Sequence, residues 1–449
     1  MSGNINLSYQ NSDRKNIHSL FKSYAYPAMI NMIVLALYNI IDRIFIGQGA
    51  GPLAICGLAL TLPCVSLLGT IGTLTGVGGG ARISTAVSTN NFKLASKVLG
   101  NSILLNIVLS LALIIYALGG NLDMILLAFG GSEQSIPYAH SYLNILLPGS
   151  LLTNLNFTFC HAIRASGFPQ KSMMIILIGV IANIILDPIF IFGFDMGIQG
   201  AAIATIVSMC LSSCLIILHF TSHANPLRLV RQSFIPQLSI LTSVIGIGMA
   251  AFIMNITTGM VNIIMNRYLE NYGGDYAIGA YGIISSYSIL ITMLMMGICQ
   301  AMQPIIGYYY ATSNRQAIHD TLKFAIRTGS IITCAGFLIG ELGAPALVKA
   351  FTGDTQLAAI SAEGLRYTFL AMPLIGFQII VTSYFQTIRQ APKAITMNIS
   401  RQFVFLIPAL GFFSIRWGLI GIWLAIPFAD FMATLIALFF IRRQRGVNG

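Results

Sequence analysis

Charge is what this sequence has least of. Only 8% of its 449 residues are Asp, Glu, Lys or Arg, against about 25% in a soluble domain. A chain so poor in polar surface cannot face water on every side. Its seven cysteines (Cys56, Cys64, Cys160, Cys210, Cys214, Cys299 and Cys334) contain no C-x-x-C pair, which argues against a zinc or dithiol motif. All lie in or beside apolar runs and read as small packing residues. The glycines between Gly69 and Gly80 follow no strand and do not spell G-x-x-x-x-G-K-[ST], so they allow close helix packing and do not cradle a phosphate. No cleavable leader is expected, because the first 22 residues are polar and basic and run into a full-length apolar stretch.

What is present is hydrocarbon. The chain is 56% apolar with a mean hydropathy of +0.81, and a spanning helix needs about 20 apolar residues. Twelve such stretches are expected, near 24–46, 53–76, 96–118, 139–161, 172–194, 200–220, 239–266, 277–300, 323–341, 364–386, 395–413 and 417–441. Shorter apolar pieces at 124–129 and 344–351 read as interfacial segments. With an even number of spans both termini share a side. If that side is the cytoplasm, 19 of the 24 Lys and Arg fall inside, as the positive-inside rule requires. The net charge of +11 then orients the chain in a cell membrane, and nucleic acid is not needed as a partner.

The chain repeats itself. Residues 39–55 (NIIDRIFIGQGAGPLAI) align without gaps to 262–278 (NIIMNRYLENYGGDYAI), and MGIQGAAIA at 196–204 to WGLIGIWLA at 417–425. The fold expected is therefore all-α and polytopic, with two six-helix bundles related by a pseudo-twofold axis along the membrane normal. The bundles would be residues 1–221 and 239–449, joined by a basic cytoplasmic linker at 222–238.

Three acids fall inside spans: Asp42, Asp187 and Asp430. A carboxylate in a bilayer costs about 2.5–3.5 kcal/mol even on the mildest scale. Asn183 stands four residues before Asp187 and shares its helix face. Pro188 cannot donate to the carbonyl of Ile184, so the helix should kink there. Carboxylate, amide oxygen and freed carbonyl together suit a hard cation or a proton. Asp42 has Tyr38 and Asn39 on its face, while Arg43 should point elsewhere. In the second half the repeat places Met265 opposite Asp42, Pro408 or Leu410 opposite Asp187, and Ile426 or Phe428 opposite Thr205. The polar set belongs to one half only, which favours an ion site over a packing contact. Asp430 could pair with Arg401 or line a cavity; both readings stand.

In their order and spacing, Asp42 to Gly47, RASGFPQK at 164–171, NIILDPIF at 183–190, GIQGAAIAT at 197–205 and TIRQAPK at 387–393 resemble the multidrug and toxic compound extrusion (MATE) family. That resemblance implies secondary efflux of small organic substrates by antiport against H⁺ or Na⁺, with no cofactor and a monomeric protein. It maps the family's amino-terminal cation site, whether for H⁺ or Na⁺, onto Asp42, Asn183, Asp187 and Thr205, with Tyr142 and Tyr38 nearby. The NorM-like branch carries acids in spans seven and ten. The corresponding segments 249–259 and 371–386 have none, which argues against a second cation site in the carboxy-terminal half and places the chain nearer the MepA-like members.

A substrate chamber between the bundles would draw on methionines of spans seven and eight, among them Met265, Met293 and Met296, since flexible thioethers suit promiscuous sites. Plain packing is the simpler reading of the same residues. Two competing functions remain, a flippase for lipid-linked or sugar precursors and an intramembrane enzyme. For the latter, His219 and His223 lie one turn apart but lack a third ligand in sequence reach.

Overall fold

The structure is a computed structural model that describes residues 14–89, 91–221, 227, 231–311, 314–388 and 390–447. Its helices are α1 (Arg14–Ala50), α2 (Pro52–Ser88), α3 (Phe92–Tyr116), α4 (Leu122–Ala128), α5 (Ile136–Ala165), α6 (Pro169–Pro188), α7 (Gly197–Thr221), α8 (Leu238–Ala311), α9 (Arg315–Lys349), α10 (Thr355–Phe369), α11 (Met372–Thr387), α12 (Ala391–Ile399) and α13 (Ile407–Val447). No strand occurs among the described residues. Lipid leaves the backbone no other choice short of a closed barrel.

Seven helical stretches among the described residues are long and apolar enough to cross a bilayer. Two of them, Ala251–Gln303 and Pro392–Gln444, run to 53 residues each, more than twice what one crossing needs. Each contains a glycine outside helical geometry, Gly274 at φ 62° and Gly418 at φ 58°, and so folds back as two crossings. Helices α10 and α11 meet at 54° as one broken crossing. With α1 and α5, the architecture has twelve.

The two short apolar pieces at 124–129 and 344–351 are both largely helical. Residues 344–349 continue α9 without a break, so Pro345 is accommodated inside the helix and does not end it. The other, 124–129, coincides with α4, set off from α3 by the non-helical Gly119 and Gly120.

By packing, the chain forms two compact units. One comprises residues 41–279 and the other residues 1–40 with 280–449. In the 41–279 unit a closed polar network ties α2, α3 and α5 together. Asn106 Nδ2 donates to Thr75 Oγ1 (2.9 Å), Thr158 Oγ1 (3.0 Å) and the Asn154 carbonyl (3.2 Å), and Asn154 Nδ2 donates to Ser110 Oγ (3.1 Å). Buried polar groups of this kind hold helices together only when each finds a partner.

Glycines of α2 act as the sequence suggests. Gly72 lies against Asn154, Gly76 against Phe157 and His161, and Gly79 against Ser102. Gly78 lies against the backbone of Val244, and Gly248 in turn against the backbone of Leu74. Thus α2 and α8 cross through a reciprocal pair of glycines that brings main chain onto main chain.

Candidate functional site: a buried oxygen cluster on α1, α6 and α7

The site is built on α6, where the sequence forces an irregularity. Pro188 has no N–H, and the helix answers with a π-helical turn at Ile189–Gly193 in place of a sharp break, a device common at functional positions. Gly200 of α7 lies against the Phe190 backbone, and Gly49 of α1 against Ile191 and Phe192. The Phe45 and Phe192 rings meet edge to face at 6.0 Å. These contacts pin α1 and α7 to the π turn. They place Asp42, one turn before Phe45 and Ile46, beside Asp187, one turn before Ile191.

Asp187 and Asn183 have no solvent exposure at all, and Thr205 is buried. Asn183 Nδ2 donates to Asp187 Oδ1 at 3.1 Å and reaches Thr205 Oγ1 at 3.5 Å. Thr205 Oγ1 in turn donates to the Ala201 carbonyl at 3.0 Å. The charge of Asp42 acts on Asp187 directly, so the two carboxylates share one environment. Arg43 is buried too, and its charge acts on Asp42.

Three buried oxygens are left over. Asp42 Oδ1, Asn183 Oδ1 and Asp187 Oδ2 have no hydrogen-bond partner. An orphaned buried acceptor costs about 1–3 kcal/mol, more when charged. Two carboxylates also repel each other at close range. A small cation answers both problems, and the donors are all hard oxygens, as H⁺ or Na⁺ would take. Among the described residues no group of three His, Cys, Asp or Glu comes together, so a transition-metal site lacks its donors.

The other sequence candidates fall out as follows. Tyr142 is buried in the apolar cluster that holds Ile46 of α1 and Ala201 and Ala202 of α7, next to the site. The side chains of Tyr38 and Asn39 lie outside those described. Met265 is buried, Met293 half-buried and Met296 exposed. Asp430 is wholly buried and accepts a hydrogen bond from Arg401 Nε, which gives it a partner of its own. His219 packs among Phe168 and Phe220; His223 lies outside the described residues. Sequence reasoning passed over the Asn106 network, whose members are single polar residues with no spacing to link them.

The MatE family model matches residues 27–189 and again 250–410. The chain belongs to the MatE family. The second match starts 223 residues after the first and ends 221 after it, the spacing of the internal repeat. Among relatives, the multidrug export protein MepA of Staphylococcus aureus (strain MRSA252) is 29% identical over 433 residues, covering 96% of this chain and 94% of that protein. MepA of Staphylococcus haemolyticus is 28% identical over 430 residues, 95% and 94% of the two chains. Among solved structures, the inward-facing conformation of a multidrug resistance MATE family transporter superposes with a TM-score of 0.85 at 23% identity, covering 92% of this chain and 94% of that one. The MATE multidrug transporter DinF-BH, solved in complex with a ligand, gives 0.77 at 30% identity, covering 95% and 96%.

Proposed function

We propose that this MatE protein is a multidrug exporter of the cell membrane that exchanges an organic, cationic or amphipathic substrate for H⁺ or Na⁺. Asp42, Asn183, Asp187 and Thr205 form its coupling site. The observation that carries this reading is the set of three unpartnered buried oxygens on Asp42, Asn183 and Asp187. The relatives named for multidrug export support the substrate class, and the ligand complex of DinF-BH is an example of a small molecule held in this fold.

A bound cation cancels the repulsion between Asp42 and Asp187 and lets α1 close onto α6. Without it the two acids drive those helices apart. Coupling follows if the substrate favours the separated arrangement, since a ligand shifts a two-state equilibrium only through unequal affinity for the states. The π turn after Pro188 gives α6 a place to flex. In this reading the bundles are residues 1–221 and 239–449, both termini are cytoplasmic and the working unit is a monomer.

Proteoliposomes loaded with ethidium provide the test. Export should start when an inward pH or sodium gradient is imposed and stop in Asp187→Asn, which should still insert and fold. Equal export by Asp187→Asn and the parent protein would overturn the assignment of the site. Export without any cation gradient would overturn the antiport.

A further inference from the structure

Two connecting segments grip each other in the unit of residues 41–279. One joins α4 to α5, and the other is the corner that α8 turns at Gly274. Each follows an odd-numbered crossing, the third and the seventh, so with cytoplasmic termini both lie on the outer face.

The grip has three parts. Ala128 ends α4, where helical carbonyls run out of N–H donors, and Arg267 Nε donates to its carbonyl at 2.8 Å. The same guanidinium holds Glu270 at 3.4 Å. Gly130, at φ 94°, lies against the Asn266 carbonyl and the Arg267 nitrogen, so that a Cβ there would stand 3.0 Å from the carbonyl oxygen. Ser132 Oγ donates to Asp275 Oδ2. The direction of that bond is set locally. Ser132 Oγ accepts the N–H groups of Gln134 (3.1 Å) and Ser135 (3.2 Å), which occupies its lone pairs and leaves its proton for the carboxylate. Residues 266 and 267 precede the corner and Asp275 follows it, so the loop is held by both arms.

The grip is also incomplete. Asn266 has no exposed surface, yet neither its amide oxygen nor its amide nitrogen has a partner. Asp275 Oδ1 is buried and unpartnered as well. Polar atoms buried without a hydrogen bond disfavour the state that buries them, and parting the two segments hands these atoms to water. Attachments that hold the rim shut are thus set against orphaned groups that favour its release, the balance a two-state contact requires. At the repeat offset of 223, Arg267 falls on Ile44 and Asp275 on Pro52. The other half has no twin of this contact, so the pseudo-symmetric architecture does not demand it.

We propose that Ser132, Asp275, Arg267 and Asn266 form the outer exit gate of the transport cycle, shut here and parted when substrate leaves. The inference rests on reading the chain as an exporter with bundles 1–221 and 239–449. In that reading the two segments belong to different bundles, and opening toward the outer face has to pull Ser132 away from Asp275.

Opening is read in intact cells without drug and without an imposed ion gradient. A membrane-impermeant, charged methanethiosulfonate should reach Asn266→Cys only while the rim is open, measured above the labelling of the parent. Adding Asp275→Ala or Ser132→Ala should speed that labelling about tenfold, the stabilisation of one hydrogen bond to a charged group. Asp275→Asn keeps an acceptor for Ser132 and should bring the rate back toward its starting value. Unchanged rates in both alanine variants overturn the proposal, and Ser132→Ala alone decides if Asp275→Ala does not reach the membrane. A second arm separates a gate from a fixed strut. Ser132→Cys combined with Asp275→Cys, joined by a short bifunctional methanethiosulfonate, should stop ethidium export until reductant is added. Continued export by the joined protein overturns the gate. If the parent exports no ethidium, the exporter reading fails and the labelling rates still decide whether the rim opens.

Discussion

The amide of Asn183 divides its two ends. Its nitrogen donates to Asp187 and Thr205, and its oxygen is left buried without a partner. In the proposed coupling site Thr205 would act through Asn183, as a positioning residue. Thr205→Ala should weaken apparent cation affinity about tenfold while drug binding without cation is unchanged, and Thr205→Ser should restore it; cation titrations of transport read both. The Asp187–Asn183 pair was legible in the sequence because four residues bring side chains onto one helix face. Thr205 was not legible from spacing: its contact depends on α7 packing on α6, and family resemblance supplied it. Asp430 behaves differently, since its charge is answered by Arg401. Removing one partner of a buried pair costs about 3–5 kcal/mol, whereas replacing both by apolar groups is often neutral. Arg401→Ala should thus lower the thermal unfolding midpoint in detergent, and the double variant Arg401→Met with Asp430→Leu should recover it.

Proline has opposite consequences in two helices that looked alike in sequence. In α6, Pro188 produces the expected irregularity as a π turn beside the site. In α9, the helix carries Pro345 through to Lys349 without a break. Packing decides between these outcomes: α9 is held by Gly340 on Phe369 and by Tyr287 Oη donating to the Leu347 carbonyl at 2.8 Å. Local sequence does not record such contacts. Pro188→Ala would return an N–H to the Ile184 carbonyl and remove the reason for the π turn. It should raise the unfolding midpoint, since an interior proline costs about 3 kcal/mol, and slow ethidium export. Gly274 works as a corner. At φ 62° and ψ −161° an alanine would cost about 1–3 kcal/mol, so Gly274→Ala should melt at lower temperature than the parent.

Across the whole molecule, the apolar helices are long enough to cross a bilayer. Hydropathy made the twelve crossings legible because length and apolarity need no knowledge of partners. Gly274 falls in the polar stretch 267–276 between two expected crossings, and Gly418 at the start of the expected twelfth. Cys210, Cys214 and Cys334 are exposed in the middle of α7 and α9. In intact membranes a charged methanethiosulfonate should leave them unlabelled, and SDS should make them reactive. Labelling of any of the three before SDS would place water on that face and redraw the boundary of the bilayer.

The reciprocal glycine crossing of α2 and α8 has a practical corollary. With Gly78 on Val244 and Gly248 on Leu74, the two helices touch with no cushion of side chains, and a single added methyl would be a doorstop. Placed at 248, it would penalise the arrangement seen here and spare any in which these helices part. A one-carbon change would then hold a cycling carrier at one stage of its stroke, ready to be trapped and measured.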